Sequence, residues 1–157
     1  MRLLRITLFG TALAAAGGAA AFTFSDGTAL QCIARGERVE EYDAAPDDPL
    51  VLRDHTGITQ PNGSGYRITW NAAKLGRLPP DVHDFIFFHE CAHATVPTRD
   101  EFVANCVGLK AMRAAGRAGF AVETRLAAFY GPNSFYWQKT LECANANRNP
   151  PAPPAPH

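Results

Sequence analysis

The stretch that decides the fold is Phe85-Ile86-Phe87-Phe88-His89-Glu90-Cys91-Ala92-His93-Ala94-Thr95. It contains the pattern H-E-x-x-H, which runs from His89 to His93. Residues four apart lie on one face of a helix, so two histidine rings at this spacing can converge on one ion. The flanking residues are apolar, and burying these polar side chains without partners is costly. The pattern therefore predicts a metal site; the alternative is a pair of core histidines satisfied by hydrogen bonds.

Helix signals extend in both directions from this stretch. Pro79-Pro80-Asp81 is typical of a helix start and Pro97 of a helix stop, which predicts a helix from about Pro80 to Thr95. A second helix should follow and end near Gly116, with Thr98 as its cap and Glu101 as the returning partner of a capping box. The pattern gives three helical segments after Pro97, at Phe102 to Ala115, Val122 to Tyr130 and Ser134 to Ala146.

The part before the first helix is expected to be β-rich. Residues 22–65 are dense in turn signals, and Tyr66 to Trp70 alternates apolar with polar side chains, as a half-buried strand does. We interpret Tyr66 to Trp70 as an edge strand placed just before the H-E-x-x-H helix. The fold class expected is α+β, with a small N-terminal sheet and a mostly helical C-terminal half.

The two ends of the chain differ from the rest. Arg2 and Arg5 precede an uncharged Leu- and Ala-rich stretch, and Ala19-Ala20-Ala21 supplies small residues for cleavage, so residues 1–21 are predicted to be a secretory signal peptide. Residues 148–157 form a Pro-rich tail that is expected to be disordered. Residues 22–147 are left as a single domain. We expect the protein to be exported, periplasmic or secreted, with no membrane attachment after cleavage.

Composition narrows the classes of partner. The chain of 157 residues carries 15 Lys and Arg against 15 Asp and Glu, so its formal net charge is zero. A neutral balance gives no electrostatic reason to bind nucleic acid. Apolar residues make up 46% and charged residues 19%, which is a globular composition.

A catalytic zinc ion usually has three protein ligands and one open position. A third histidine six residues after His93 would complete one known pattern, but that position is Arg99. Glu101 is the better candidate because it opens the following helix, and Asp100 is the runner-up. Glu101 also has a competing interpretation as half of the capping box with Thr98. If neither carboxylate binds, water would complete a weaker site.

Two more residues share a helical face with Glu101. Asn105 is expected to supply an amide that hydrogen-bonds to a ligand, and Gly108 to allow close approach of the helices.

Glu90 is not expected to bind the metal; we predict that it acts as a general base. It would take the proton of a zinc-activated water and pass it to the leaving amine.

With Glu101-Phe102-Val103-Ala104-Asn105 after the H-E-x-x-H pattern, the chain resembles the gluzincin branch of zinc metallopeptidases, in a compact form. The resemblance covers about Tyr66 to Ala115. It implies a zincin-like fold, one Zn²⁺ per chain held by His89, His93 and Glu101, and a peptide or protein substrate. Asn105 departs from the family, which usually has Asp at this position.

Four cysteines lie in the exported part, and an even count outside the cytosol predicts two disulfides. Three pairings are possible. The helix packing that zinc ligation by Glu101 requires would bring Cys106 near Cys91, which leaves Cys32 to pair with Cys143.

Two functions remain open at this point. One is an exported zinc hydrolase, a small metallopeptidase that cleaves amide bonds with Glu90 as its base. The other is a catalytically weak or inactive metal-binding module that binds a protein partner. Glu90 favours the enzyme, because a pure binding site has no need of a base at that position. One of the tyrosines Tyr130 and Tyr136 could stabilise an oxyanion, but the sequence does not select it.

Overall fold

The computed structural model describes residues 21–146, so the predicted tail, and the predicted signal peptide except Ala21, lie outside the described residues. The fold is α+β, as expected, and its elements follow one another as β1 (Phe22–Thr23), β2 (Ala29–Leu30), β3 (Ile33–Ala34), β4 (Glu37–Arg38), β5 (Glu40–Asp43), α1 (Pro49–Leu52), β6 (Gly57–Asn62), β7 (Gly65–Trp70), α2 (Ala72–Leu75), α3 (Pro80–Thr95), α4 (Glu101–Ala114), α5 (Phe120–Tyr130) and α6 (Phe135–Asn145). Among residues 21–146, none of these helices has the length and apolar character of a membrane span.

The strands form three small sheets. β1 pairs with β2 and β3 with β4, each antiparallel, and a three-stranded sheet has the order β5-β7-β6. In that sheet β5 is parallel and β6 antiparallel to β7. β7 confirms the strand predicted at Tyr66 to Trp70, but it is the central strand, so its assignment as the edge was wrong.

The edge strand next to α3 is β6, which the sequence did not reveal. Pro61 lies inside it and Gly63 follows it, and both residues are typical of loops. An edge strand tolerates proline because one side of its backbone needs no ladder partner. Gly63 has φ +58°, which suits the tight turn from β6 into β7.

The long helices lie close to where the sequence placed them. α3 begins at Pro80, with Asp81 in its first turn, and ends just before Pro97. The cap of α4 differs from the prediction: Asp100 Oδ1 accepts the backbone N–H groups of Phe102 and Val103, at 2.8 and 3.2 Å. Thr98 instead accepts the N–H of Asp100 at 3.0 Å. The capping box is therefore wrong, and the Glu101 carboxylate is free for another role.

Helix α3 is the centre of the fold, with packed neighbours on all sides. Phe85 lies edge-on to the rings of Tyr130 and Trp137, at centroid distances of 6.0 and 5.7 Å, which ties α3 to α5 and α6. Phe87 packs against Phe22 at 5.2 Å on the opposite side. Both phenylalanines are buried. The apolar residues that precede His89 thus pack on two faces of α3, and this packing fixes the rotation of the helix about its axis.

The disulfides join Cys32 to Cys91 and Cys106 to Cys143, so the predicted pairing was wrong. Cys91 lies about 200° round α3 from His89, which turns it away from α4 and towards the segment that precedes β3. Cys106 follows Asn105 by one residue, about 100° round α4, and faces α6. Packing of α3 on α4 therefore does not bring Cys91 and Cys106 together. Two disulfides are typical of proteins in oxidising compartments.

Candidate metal centre

Three side chains converge at the junction of α3 and α4. His89 and His93 are one turn apart on α3, and Glu101 is the first residue of α4. Their ligand atoms all lie within 4.8 Å of one another, so the group can hold a metal ion. The Nε2 atoms of His89 and His93 are 3.2 Å apart, and Glu101 Oε2 lies 3.1 and 3.7 Å from them.

The hydrogen bonds behind the rings define which nitrogen faces the site. His93 Nδ1 lies 2.9 Å from the carbonyl oxygen of Thr98, and His89 Nδ1 lies 2.8 Å from Oδ1 of Asn105. Both oxygens only accept, so each Nδ1 carries a proton and donates it. In the neutral rings, each Nε2 therefore presents a lone pair to the centre. Asn105 thus has the orienting role predicted for it, and this arrangement is typical of metal-binding histidines.

The spacing fits a tetrahedral ion. Zinc lies about 2.0–2.1 Å from its nitrogen and oxygen ligands, so tetrahedral ligands are about 3.3 Å from each other. The three measured separations, 3.2, 3.1 and 3.7 Å, are close to this value. Two nitrogen lone pairs at such a distance repel each other unless a cation lies between them. The donor set of two imidazole nitrogens and one carboxylate oxygen is also one that zinc accepts.

Without a metal, a proton can take the place of the cation. Burial opposes protonation of His89, but the hydrogen bond that the protonated ring donates to Glu101 and the negative charge of Glu90 outweigh it, so the pKa of His89 is raised. The hydrogen bond with His89 lowers the pKa of Glu101 against its partial burial. The centre therefore attracts positive charge from whichever source is present.

Glu90 stands beside the three ligands and is not one of them. Its side chain is buried, with 6% of the residue exposed, and its Oε2 lies 2.8 Å from the hydroxyl of Thr59 on β6. The same hydroxyl lies 2.8 Å from the backbone carbonyl oxygen of Glu90. Thr59 therefore holds Glu90 from the neighbouring strand. The sequence did not identify Thr59, because the turn signals that follow it left no strand assigned at this position.

A cleft of about 520 Å³ opens in front of this group. Residues 58–61 of β6 form one wall, and His89, Glu90, His93 and Glu101 form the other. β6 has no strand on its outer side in the described sheet. The cleft therefore places a free strand edge alongside the three candidate ligands.

A second, smaller cavity of about 270 Å³ reaches His89 and Glu101 from the side of α5 and α6. Its other walls include Ile86, Tyr130 and Trp137. The hydroxyl of Tyr130 is protonated at neutral pH, and burial raises its pKa further above the ordinary value of 10. The indole nitrogen of Trp137 is buried and has no hydrogen-bond partner among the described residues. These aromatic residues thus line a wall of the candidate site, besides packing on Phe85.

The structure brings together the predicted set of His89, Glu90, His93 and Glu101, while Asp100, the runner-up ligand, is engaged as a helix cap. The group lies where a helix, the start of the next helix and a strand edge meet. No protein-family model, no curated protein and no solved structure matches this chain.

Proposed function

We propose that this protein is an exported zinc-dependent hydrolase that cleaves amide bonds in peptides, with a compact, gluzincin-like core. Its ligands would be His89, His93 and Glu101, one zinc ion per chain. The observation that carries the proposal is the position of Glu90, a buried carboxylate next to the metal cluster that is not needed to hold the ion. A site built only to bind metal has no use for it.

Zinc bound at this centre would supply Lewis-acid chemistry, which polarises a carbonyl group and acidifies water. Hydrolysis adds water across the C–N bond, and the residues of this chain must move one proton in the process. Glu90 would accept that proton from the attacking water and return it to the leaving nitrogen. Thr59 fits both states of Glu90: its hydroxyl donates to the carboxylate, or turns to the backbone carbonyl of Glu90 and accepts from the protonated acid.

The free edge of β6 supports a peptide as the substrate. An extended peptide can add to an exposed strand edge through backbone hydrogen bonds, whatever its side chains. Residues 58–61 of β6 line the same cleft as Glu90, so a peptide bound there would run past the general base. Tyr130 lines the second cavity together with His89 and Glu101, and its protonated hydroxyl would be able to donate a hydrogen bond to an oxyanion.

The test uses the exported protein loaded with zinc and a mixed peptide library. We expect about one zinc per chain, and cleavage that Glu90→Gln lowers by about 10²- to 10⁴-fold without loss of the ion. Glu37→Gln is the matched control, since Glu37 is exposed on β4, outside the cleft, and its loss should leave cleavage unchanged.

The result also separates the two classes of function. If the wild-type protein holds a full complement of zinc and cleaves no peptide, or if Glu90→Gln cleaves as well as the wild type, the hydrolase proposal fails. The partner-binding metal module would then be the better account. If His89→Ala with His93→Ala still retains zinc, the metal centre itself is misplaced.

A further inference from the structure

Another buried carboxylate, outside the candidate metal centre, has an unusual set of partners. Glu41 on β5 is completely buried. Its Oε1 accepts the backbone N–H of Cys32 at 2.9 Å, and its Oε2 accepts the indole N–H of Trp70 at 3.0 Å. The backbone N–H of Phe22 is close enough to lower the pKa of this carboxyl group, against the larger effect of burial. All three of these N–H groups are neutral.

Within residues 21–146, no Lys, Arg or His forms an ion pair with Glu41. Taking an ionised carboxylate out of water is costly, and hydrogen bonds from neutral donors offset part of that cost. For Glu41 the effect of burial is the larger one, so its pKa is raised. No described residue offers this carboxyl group a positive charge.

The chain has a place from which that charge can come. The predicted signal peptide ends at Ala21, so cleavage would convert the amide N–H of Phe22 into a free amino group. An α-amino group has a pKa near 8 and is largely protonated at neutral pH. Ala21 is exposed, whereas Phe22 is buried with its ring 4.8 Å from the ring of Trp70. One side of the bond to be cut, Ala21, lies at the surface, and the nitrogen that would become the new terminus already affects the pKa of the Glu41 carboxyl group.

We propose that hydrolysis of the Ala21–Phe22 bond during export creates an α-ammonium group at Phe22 that pairs with the buried carboxylate of Glu41. The reaction consumes one water molecule and is carried out by the peptidase that removes export signals. Ala21 keeps the new carboxylate, and the nitrogen of Phe22 gains the proton that makes it an ammonium. Removal of the signal then supplies a cation that no side chain among residues 21–146 provides to Glu41.

The proposed pair of Phe22 and Glu41 is connected to the candidate metal centre through packed residues. Trp70, whose indole nitrogen donates to Glu41, packs directly on Gly57: a Cβ atom at position 57 would lie 2.9 Å from the Trp70 ring and 3.2 Å from Cγ of Glu90. Cys32, the other neutral donor, is bonded to Cys91 on α3. An ion pair at Glu41 would therefore stabilise the packing on which both β6 and α3 rest.

The first measurement is the intact mass of the full chain after export, which should correspond to a protein that begins at Phe22. The second is a double-mutant cycle on the unfolding equilibrium constant, read from denaturant titrations. One change is Glu41→Gln; the other is an alanine inserted between Ala21 and Phe22, in protein whose intact mass shows that it begins at the inserted alanine, which moves the new ammonium away by one residue. Glu40→Gln, an exposed neighbour on the same strand, is the control.

We expect Glu41→Gln to shift the unfolding constant at least tenfold more in the chain that begins at Phe22 than in the chain with the inserted alanine. Glu40→Gln should shift both equally. A mature protein that begins at another residue overturns the proposal, and so do additive effects in the cycle.

If Glu41→Gln does not fold, the reactivity of the N-terminal amine tests whether Phe22 pairs with Glu41. Cyanate should carbamylate the N-terminus of folded wild-type protein at least tenfold more slowly than the N-terminus of the inserted variant. Equal rates would show that the amine of Phe22 is not held by Glu41.

Discussion

Gly108 on α4 lies directly against the backbone of His89 on α3. A Cβ atom at position 108 would lie 3.0 Å from both the Cα and the backbone nitrogen of His89, and 2.9 Å from the carbonyl oxygen of Phe88. Only glycine permits this approach, because backbone atoms cannot move aside as the end of a side chain can. The contact brings Asn105 and Glu101, on the same helix, within reach of the histidines.

Gly108→Ala should therefore destabilise the protein, although alanine has the higher helix propensity. Propensity alone would favour alanine by about 1 kcal/mol. We expect instead a net loss of about 1–3 kcal/mol in the free energy of unfolding, because the added methyl group pushes the two helices apart. Zinc binding should weaken as well, since Glu101 moves with α4. Denaturant titration of the metal-free protein and a zinc titration measure the two effects.

Ala111→Gly is the matched control for that experiment, because Ala111 is exposed on the same helix. It should cost about 1 kcal/mol through propensity and leave zinc affinity unchanged. A Gly108→Ala protein that is more stable than the wild type and binds zinc equally well would show that the helices do not need this contact.

Asn105 gives a second prediction, on metal affinity. Its Oδ1 accepts the proton of His89 Nδ1 at 2.8 Å and so keeps Nε2 free for the ion. Asn105→Ala should weaken zinc binding by about 10- to 100-fold with little change in fold. Asn105→Asp, which restores an acceptor and adds a charge, should bind zinc at least as tightly as the wild type. Competition with a chelator of known affinity measures both; equal affinity for Asn105→Ala would rule out the orienting role.

The sequence predicted which side chains meet at the candidate metal centre better than it predicted the strands and disulfides around them, for physical reasons. Helix geometry alone places residues four apart, such as His89 and His93, on one face. Proline suits the first turn of a helix and cannot continue one, so Pro80 and Pro97 mark where α3 begins and where it can no longer continue. The role of Glu101 depended on how the next helix begins. Its assignment was ambiguous because Glu101 also fitted a capping box with Thr98, and the structure shows that Asp100 caps the helix instead.

What the sequence did not predict depends on contacts between distant elements. Pro61 and Gly63 are turn formers, so nothing local marked β6 as the edge strand, and Thr59 was missed with it. The disulfide pairing depends on which faces of α3 and α4 meet the rest of the chain. Cys91 faces the N-terminal segment because Phe85 and Phe87 fix the rotation of α3, and that packing has no signature in the spacing of the cysteines.

Thr59→Val provides a prediction on catalysis that rests on the proposed hydrolase. Valine keeps the shape and the β propensity of threonine but removes the hydroxyl that lies 2.8 Å from Glu90 Oε2. We expect unchanged zinc content, an unchanged KM and a kcat lower by about 10-fold, because a charge-assisted hydrogen bond to the base is lost. Thr59→Ser should restore most of the rate. A loss shared equally by Thr59→Ser and Thr59→Val would point to a packing role instead.

The pH dependence of the metal-free protein tests the electrostatics of the centre. The pKa of Glu101 lies below its ordinary value of 4.5, so its contribution to stability is present above pH 4.5 and is lost as the pH falls through the lowered pKa. The pKa of His89 lies above its ordinary value of 6.5, so its contribution is present below pH 6.5 and is lost as the pH rises through the raised pKa. The pair therefore stabilises the metal-free protein most between these two values.

Glu101→Gln should remove this stabilisation, which amounts to about 0.5–1 kcal/mol because Glu101 is half exposed. The melting temperature of the chelator-treated protein, measured between about pH 4 and pH 8, should lose its maximum in the variant. With zinc bound, the melting temperature should rise rather than fall at the high-pH end of this range, because the ion needs unprotonated nitrogens and binds more tightly as the pH rises. A metal-free wild type whose profile matches that of Glu101→Gln would show that His89 and Glu101 do not interact in solution.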